Sequence, residues 1–173
     1  MKTHFSGVHG PVDLSDRRRR MYDFLHEHPV GVVSTTDPDG NPHGAVIYFT
    51  VDKNFIIRFM TKKQTRKYDN LIHNNRMMLT VFEPLTQSTI QFEGTAIERE
   101  GQNATNEVAT SLFDTPLATS DSGLPPLAKL QAGAFTTFRV IPILIRMAIY
   151  ARPETGDYNE LFESIESFEL NDG

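Results

Sequence analysis

The chain has 173 residues, 39% of them hydrophobic, enough for one domain with a sizeable core and short for two. It has no cysteine, which excludes disulfides, thiolate metal sites and cysteine nucleophiles and fits a reducing cytoplasm. Net charge is −5, but the seven acids from Glu154 onward meet no Lys or Arg, so the body before them is left near +2, too weak a field for broad nucleic-acid binding.

No apolar run is long enough to span a bilayer, and the opening residues lack the apolar stretch of a secretion signal, so a cytoplasmic protein without a membrane role is expected. Residues 1–14 read as an irregular arm broken by Gly7, Gly10 and Pro11. Ser15 is placed to cap a helix running to about His28, with Met21, Phe24, Leu25 and His28 at helical spacing and Pro29 ending it. Val30–Thr36 is β-branched and apolar, a strand. The Asp-Pro-Asp-Gly-Asn-Pro run at 37–42 marks a turn, and Gly44–Val51 the return strand. A second turn at Asp52-Lys53-Asn54 leads to a third strand, Phe55–Thr61, which makes a meander.

The period then changes. Tyr68, Leu71 and Ile72 share one side of a short helix over Lys63–Asn74. Arg76–Phe82 and Ser88–Arg99 are strands four and five, with Gly94 a bulge or a point of close approach. Asn103–Phe113 reads as helical, 114–126 as a long loop rich in Pro, Ser and Gly, and Pro126–Gln131 as a short helix. Ala134–Tyr150 is one long final strand with Pro142 at an edge or bulge. The acidic stretch 153–173 reads as a solvated tail or frayed end. A mainly β fold with short helices follows: one domain over 15–152, a six-stranded antiparallel barrel of Greek-key type whose closure removes exposed edges.

The chemistry concentrates at Met60-Thr61-Lys62-Lys63-Gln64-Thr65-Arg66-Lys67, where a strand ends, two threonines and four cations follow, and a helix begins. Helix-start amides, the guanidinium of Arg66, the ammonium of Lys67 and the hydroxyls of Thr61 and Thr65 suit a phosphate. A solvated basic turn before a surface helix is the plainer reading of the same residues. The six histidines show no zinc spacing. Arg17 to Arg20 spread around a helix rather than forming one patch. Met77-Met78 and phenylalanines 49, 55, 59, 82 and 92 read as barrel core.

The order of these segments resembles the pyridoxamine 5'-phosphate oxidase-like, FMN-binding split-barrel family. The resemblance rests on Phe59-Met60-Thr61, then Thr65-Arg66-Lys67, then Asn74-Asn75 before Met77-Met78-Leu79, followed by Phe92-Glu93-Gly94-Thr95-Ala96 and Phe138-Arg139-Val140-Ile141-Pro142. It covers roughly residues 20–150 and implies FMN as cofactor. Arg66 and Lys67 then hold its phosphate with nearby hydroxyls, Met60 and Thr61 touch the flavin, and Ala45, Val46, Ile47, Tyr48, Phe49 and Thr50 line the ring, mostly through backbone groups. Thr89 stands where family oxidases use a glutamine, and Ala45 where an arginine would add a phosphate cation. Thr50 replaces the lysine that takes the substrate phosphate in true pyridoxamine phosphate oxidases, and the basic, tryptophan-bearing end of those enzymes is absent, so vitamin B6 synthesis is not expected. The resemblance implies a homodimeric FMN-dependent oxidoreductase acting on a small-molecule substrate or electron donor, a nicotinamide cofactor among the candidates. The alternative is a non-catalytic flavin-, haem- or deazaflavin-binding protein on the same fold.

Overall fold

The computed structural model describes residues 14–101, 108, 110, 135–149 and 164–169. The arm, the 114–126 loop and the helix expected over 126–131 lie outside them, as does most of the helix expected over 103–113, of which Val108 and Thr110 are helical. Two helices, α1 (Leu14–Glu27) and α2 (Arg66–His73), and seven strands are described: β1 (Val30–Thr36), β2 (Pro42–Val51), β3 (Ile57–Lys62), β4 (Arg76–Glu83), β5 (Ser88–Arg99), β6 (Phe135–Ile149) and β7 (Ser164–Glu169). Helix α1 begins at Leu14, which places Ser15 inside its first turn rather than at its cap.

The sheet order is β3-β2-β1-β4-β5-β6-β7, and a further β3–β6 pairing closes β1 to β6 into an antiparallel barrel. The chain runs up β1, β2 and β3 as a meander, then crosses through α2 to place β4 against the free side of β1, the 4-1-2-3 order of a Greek key. Side chains alternate across the barrel wall. Phe49, Phe59, Phe92, Phe138, Leu79 and Ile90 fill the interior, joined by Met21, Phe24 and Leu25 of α1 and Leu71 of α2. Asn70 anchors α2 to β1 through a buried bond from Nδ2 to Thr35 Oγ1 at 2.9 Å.

Two irregularities shape the barrel. Strand β2 stays with β1 from Pro42 to Tyr48 but meets β3 only over Phe49–Val51, so the two strands part just where β3 reaches Met60 and Thr61. Beyond that point β3 pairs with β6 alone. The second irregularity is a bulge: Glu93 faces Leu144 while Gly94 faces Pro142, leaving Ile143 unmatched. Proline has no amide proton to give the ladder, so a bulge is where β6 can carry it.

The third strand starts later than its composition suggests. Phe55 has φ 60° and belongs to the preceding turn, where its amide donates to Asp52 O at 2.8 Å. Burial of its ring, under the Arg18 guanidinium at 5.6 Å, holds a backbone conformation that phenylalanine seldom adopts. The acidic end, expected as a solvated or frayed tail, contains β7, which pairs antiparallel with β6 from Leu144 to Ile149.

Candidate functional site

The loop between β3 and α2 is organised by its threonines. Thr65 occupies the N-cap position of α2 with φ −119° and ψ 146°, yet makes no side-chain bond to the helix amides. Its hydroxyl donates instead to Lys62 O at 2.8 Å. A hydroxyl has one proton, so in the 3.1 Å contact between the two threonine Oγ1 atoms Thr61 is the donor. Residues such as Thr ordinarily cap the first-turn amides. Here there is no such side-chain cap: the Tyr68 and Asp69 amides donate to Thr65 O, at 2.9 and 3.2 Å, and the positive end of the helix is electrostatically suited to an anion.

The four cations of the segment do not share one task. Lys63 is bound into the barrel: it pairs with Glu100, lies 3.5 Å from Glu98 Oε1 and sits 5.9 Å from the Tyr68 ring centroid. Glu100 holds its pKa above the usual lysine value, and Lys63 in turn holds Glu100 below the usual carboxylate range. Glu98 also accepts from Thr136 Oγ1 at 2.8 Å, which fixes this network to β6. Lys62 is exposed, its ammonium 5.5 Å from the Phe135 ring centroid. Arg66 is exposed and contributes to keeping Asp37 below its usual pKa, an effect led by the side-chain bond from Asn41. Lys67 is different. It is half-buried, burial pushes its pKa down, and no carboxylate among the described residues pairs with it.

The residues expected along β2 divide by parity. Ile47 and Phe49 are buried in the core and Ala45 packs against it, so only their backbone can meet a ligand outside. Val46, Tyr48 and Thr50 face outward, Val46 with 64% of its surface exposed. Met60 is 8% exposed, because Val108 covers it in a small apolar cluster with Tyr48 and Phe135. Thr61 is also buried. Val108, Phe135 and the Lys63 network are contributors that spacing along the sequence does not reveal, since contacts between distant segments bring them to the loop.

Thr89 is not brought to this loop within one chain. Thr61 lies opposite Thr136 on β6, and the neighbouring Thr137 lies opposite Arg99 on β5. Thr89 is about ten residues back along β5, on the order of 30 Å of strand. It stands opposite Phe82, which was expected in the barrel core but is 56% exposed, since strand alternation turns Val81 inward and Phe82 to the outer face that also carries Val32 and Val46.

The four described histidines are dispersed. His26 stacks on Tyr22 and His28 lies against Phe24. His73 ends α2, and His43 on β2 has a buried Nδ1 without a hydrogen-bond partner. Among the described residues no group of His, Asp and Glu could hold a metal ion, and no helix is long and apolar enough to cross a membrane.

A closed Greek-key barrel whose wall parts beside a cationic strand-to-helix loop defines a split β-barrel protein. The family model for pyridoxamine 5'-phosphate oxidase matches residues 18–126, more than half the chain, and the chain belongs to that family. No curated protein matches the sequence. Solved structures share the fold at low identity. A conserved hypothetical protein from Mycobacterium tuberculosis has a TM-score of 0.65 at 19% identity, covering 91% of this chain and 99% of that one. An F420 reductase has a TM-score of 0.56 at 22% identity, with 72% and 94% covered. A haem-binding protein from Mycobacterium smegmatis has a TM-score of 0.61 at 15% identity; 94% of this chain matches 60% of that longer one.

Proposed function

We propose that this chain is a cytoplasmic FMN-binding protein that works as a homodimer, with oxidoreductase activity on a small-molecule substrate or electron donor. The observation that carries the reading is Lys67: a half-buried ammonium with no carboxylate partner among the described residues, one residue into a helix whose first amides lack a side-chain cap. An anion there would relieve the cost of burying the charge and satisfy the amides together. Arg66 adds a second cation at the same helix start. The polar groups therefore suit a phosphate monoester, and the outward Val46, Tyr48 and Thr50 offer an adjoining strand edge for a flat ring.

When bound, FMN supplies hydride or electron transfer. The chain's residues bind and orient: Arg66 and Lys67 balance the phosphate charge, Thr61 and Thr65 hold the loop, and the Met60–Val108 contact keeps water from the floor of the split. Thr89 reaches the ring only as a contribution from a second subunit, which ties dimerisation to the cofactor.

The purified protein, reconstituted with FMN, is expected to show a flavin-type visible spectrum that survives gel filtration. Arg66→Ala with Lys67→Ala should release the flavin while leaving the barrel folded. A colourless protein that takes up no added FMN sinks the reading, and a sharp haem band or selective uptake of a deazaflavin replaces it with the carrier alternative. Reduction of the bound flavin by a nicotinamide cofactor then separates enzyme from carrier.

A further inference from the structure

Across the outer wall of β2, β3, β6 and β5 the registers place Thr50 opposite Arg58, Arg58 opposite Arg139, and Arg139 opposite Ile97. All lie on the outward side, since the flanking Ile57, Phe59, Phe138 and Val140 are buried in the core. Two arginines directly opposite each other on one face bring Cβ atoms to about 5 Å, and like charges in that position destabilise a sheet. Among the described residues only one of the two meets a carboxylate. Asp52 Oδ2 accepts from Arg58 Nη2 at 3.0 Å, while its Oδ1 is occupied by the amides of Asn54 and Ile56. Arg139 is half-buried and has no carboxylate partner among the described residues. Arg99, one pair further along on the same face, adds positive charge. Among the described residues, one carboxylate thus stands against two partly desolvated guanidiniums, and it is bound to Arg58 alone.

The neighbourhood gives this excess charge a context. Met60 lies two residues beyond Arg58 on the same face, within the apolar cluster of Tyr48, Val108 and Phe135. Lys62 follows two residues later, at the start of the phosphate loop. Lys62 is four residue steps along the strand from Arg58, about 13 Å at the usual rise. The face therefore runs from cations through an apolar strip to cations again, over a span that would seat a flat ring between two anionic groups.

We propose that Arg58 and Arg139 form a second anion site, separate from the 61–67 loop, which takes the carboxylate or phosphate end of the small molecule that exchanges electrons with the cofactor. The role as a substrate site rests on the flavin reading; the anion site itself does not. Arg139 supplies an unshared planar fork, Arg58 the donors left over from Asp52, and the Thr50 hydroxyl lies in register beside them.

The test uses the arginine Nε–Hε signals of the ¹⁵N-labelled full chain, assigned with Arg58→Gln and Arg139→Gln. Inorganic phosphate and acetate are titrated in turn against sodium chloride at constant ionic strength. The Arg58 and Arg139 signals should shift saturably with phosphate, acetate or both, and the tighter of the two names the terminal group. In Arg139→Gln the apparent affinity read at Arg58 should fall at least tenfold, Arg139→Lys should recover part of it, and the Arg66 response should persist. Shifts no larger than chloride produces, or an Arg58 response unchanged in Arg139→Gln, overturn the proposal. Saturable anion binding here in a protein that takes no FMN would sink the flavin reading alone, and FMN binding with a silent arginine pair would sink this proposal alone.

Discussion

At the scale of single residues, Lys67 makes the most direct prediction. Burial disfavours its charged form, so its pKa lies below the ordinary lysine value in the free protein. A phosphate bound beside it favours the charged form and raises that pKa. FMN affinity should therefore be full at neutral pH and decline as pH rises through the depressed pKa of the free protein, a slope read by fluorescence titration across the alkaline range. Lys67→Met should flatten the slope and weaken FMN by roughly 10- to 100-fold, since a hydrogen bond to a charged group is worth about 1.5–3 kcal/mol. Riboflavin, which has no phosphate, should bind both proteins alike, and a riboflavin affinity that falls equally would place Lys67 against the ring instead. Glu83 gives a prediction on the acid side. It accepts from the Thr86 hydroxyl and from the amides of Thr86 and Leu85, which in that order hold its pKa below the usual glutamate value. A depressed folded-state pKa stabilises the fold above the unfolded glutamate range, and that stability is lost as pH falls through the folded value. Glu83→Gln should lower Tm at neutral pH and shrink the loss between neutral and acidic buffer, as seen in thermal melts.

At the scale of elements, Gly94 shows why one small residue sits in the middle of β5. A Cβ added there would stand 2.6 Å from Val140 Cγ1 and 2.8 Å from Ile141 O, at the bulge that lets β6 carry Pro142. The carbonyl belongs to a paired strand and cannot move away cheaply. Gly94→Ala should cost about 1–3 kcal/mol, in the range of overpacked core sites, and shift the denaturant midpoint without changing the slope. The glycine, the proline and the spans of β1 and β5 were legible in the sequence because each is a local signal: β1 and β5 run over the residues their composition marks, and α2 falls within the stretch where the apolar period changes. Features that depend on pairing between distant segments were not legible. The parting of β2 from β3 and the opposition of Arg58 and Arg139 are set by register across the barrel, and the cover that Val108 gives Met60 by a contact between distant segments. The strand β7 was hidden because its acids dominate the composition, while its pairing depends on an edge of β6 beyond the end of β3. The candidate loop was legible as a cationic strand-to-helix turn. Its division of labour was not, because only the fold brings Glu98 and Glu100 to Lys63 and leaves Lys67 with no carboxylate partner among the described residues.

At the scale of the whole molecule, the outer face of β2, β1 and β4 poses the question of assembly. Val32 lies opposite both Val46 on β2 and Thr80 on β4, and Phe82 lies further along β4. Val32, Val46 and Phe82 are 41%, 64% and 56% exposed, on a barrel wall without helical cover among the described elements. Contiguous apolar surface of this kind is a usual mark of an interface. A two-fold dimer uses one patch on both subunits, so Thr89 beside Phe82 would meet the partner although it lies far from its own 61–67 loop. Burying the patch and completing the flavin site would then be one event. Val32→Glu tests this without altering a residue assigned to the cofactor. Light scattering should find a dimer for the parent protein and a monomer for the variant, with the barrel's circular dichroism unchanged. The variant should also lose FMN on gel filtration, because the partner's share of the groove leaves with the partner. A monomer that keeps its FMN would show that each chain holds the cofactor alone, and a parent protein that is itself monomeric would remove the shared groove from the reading.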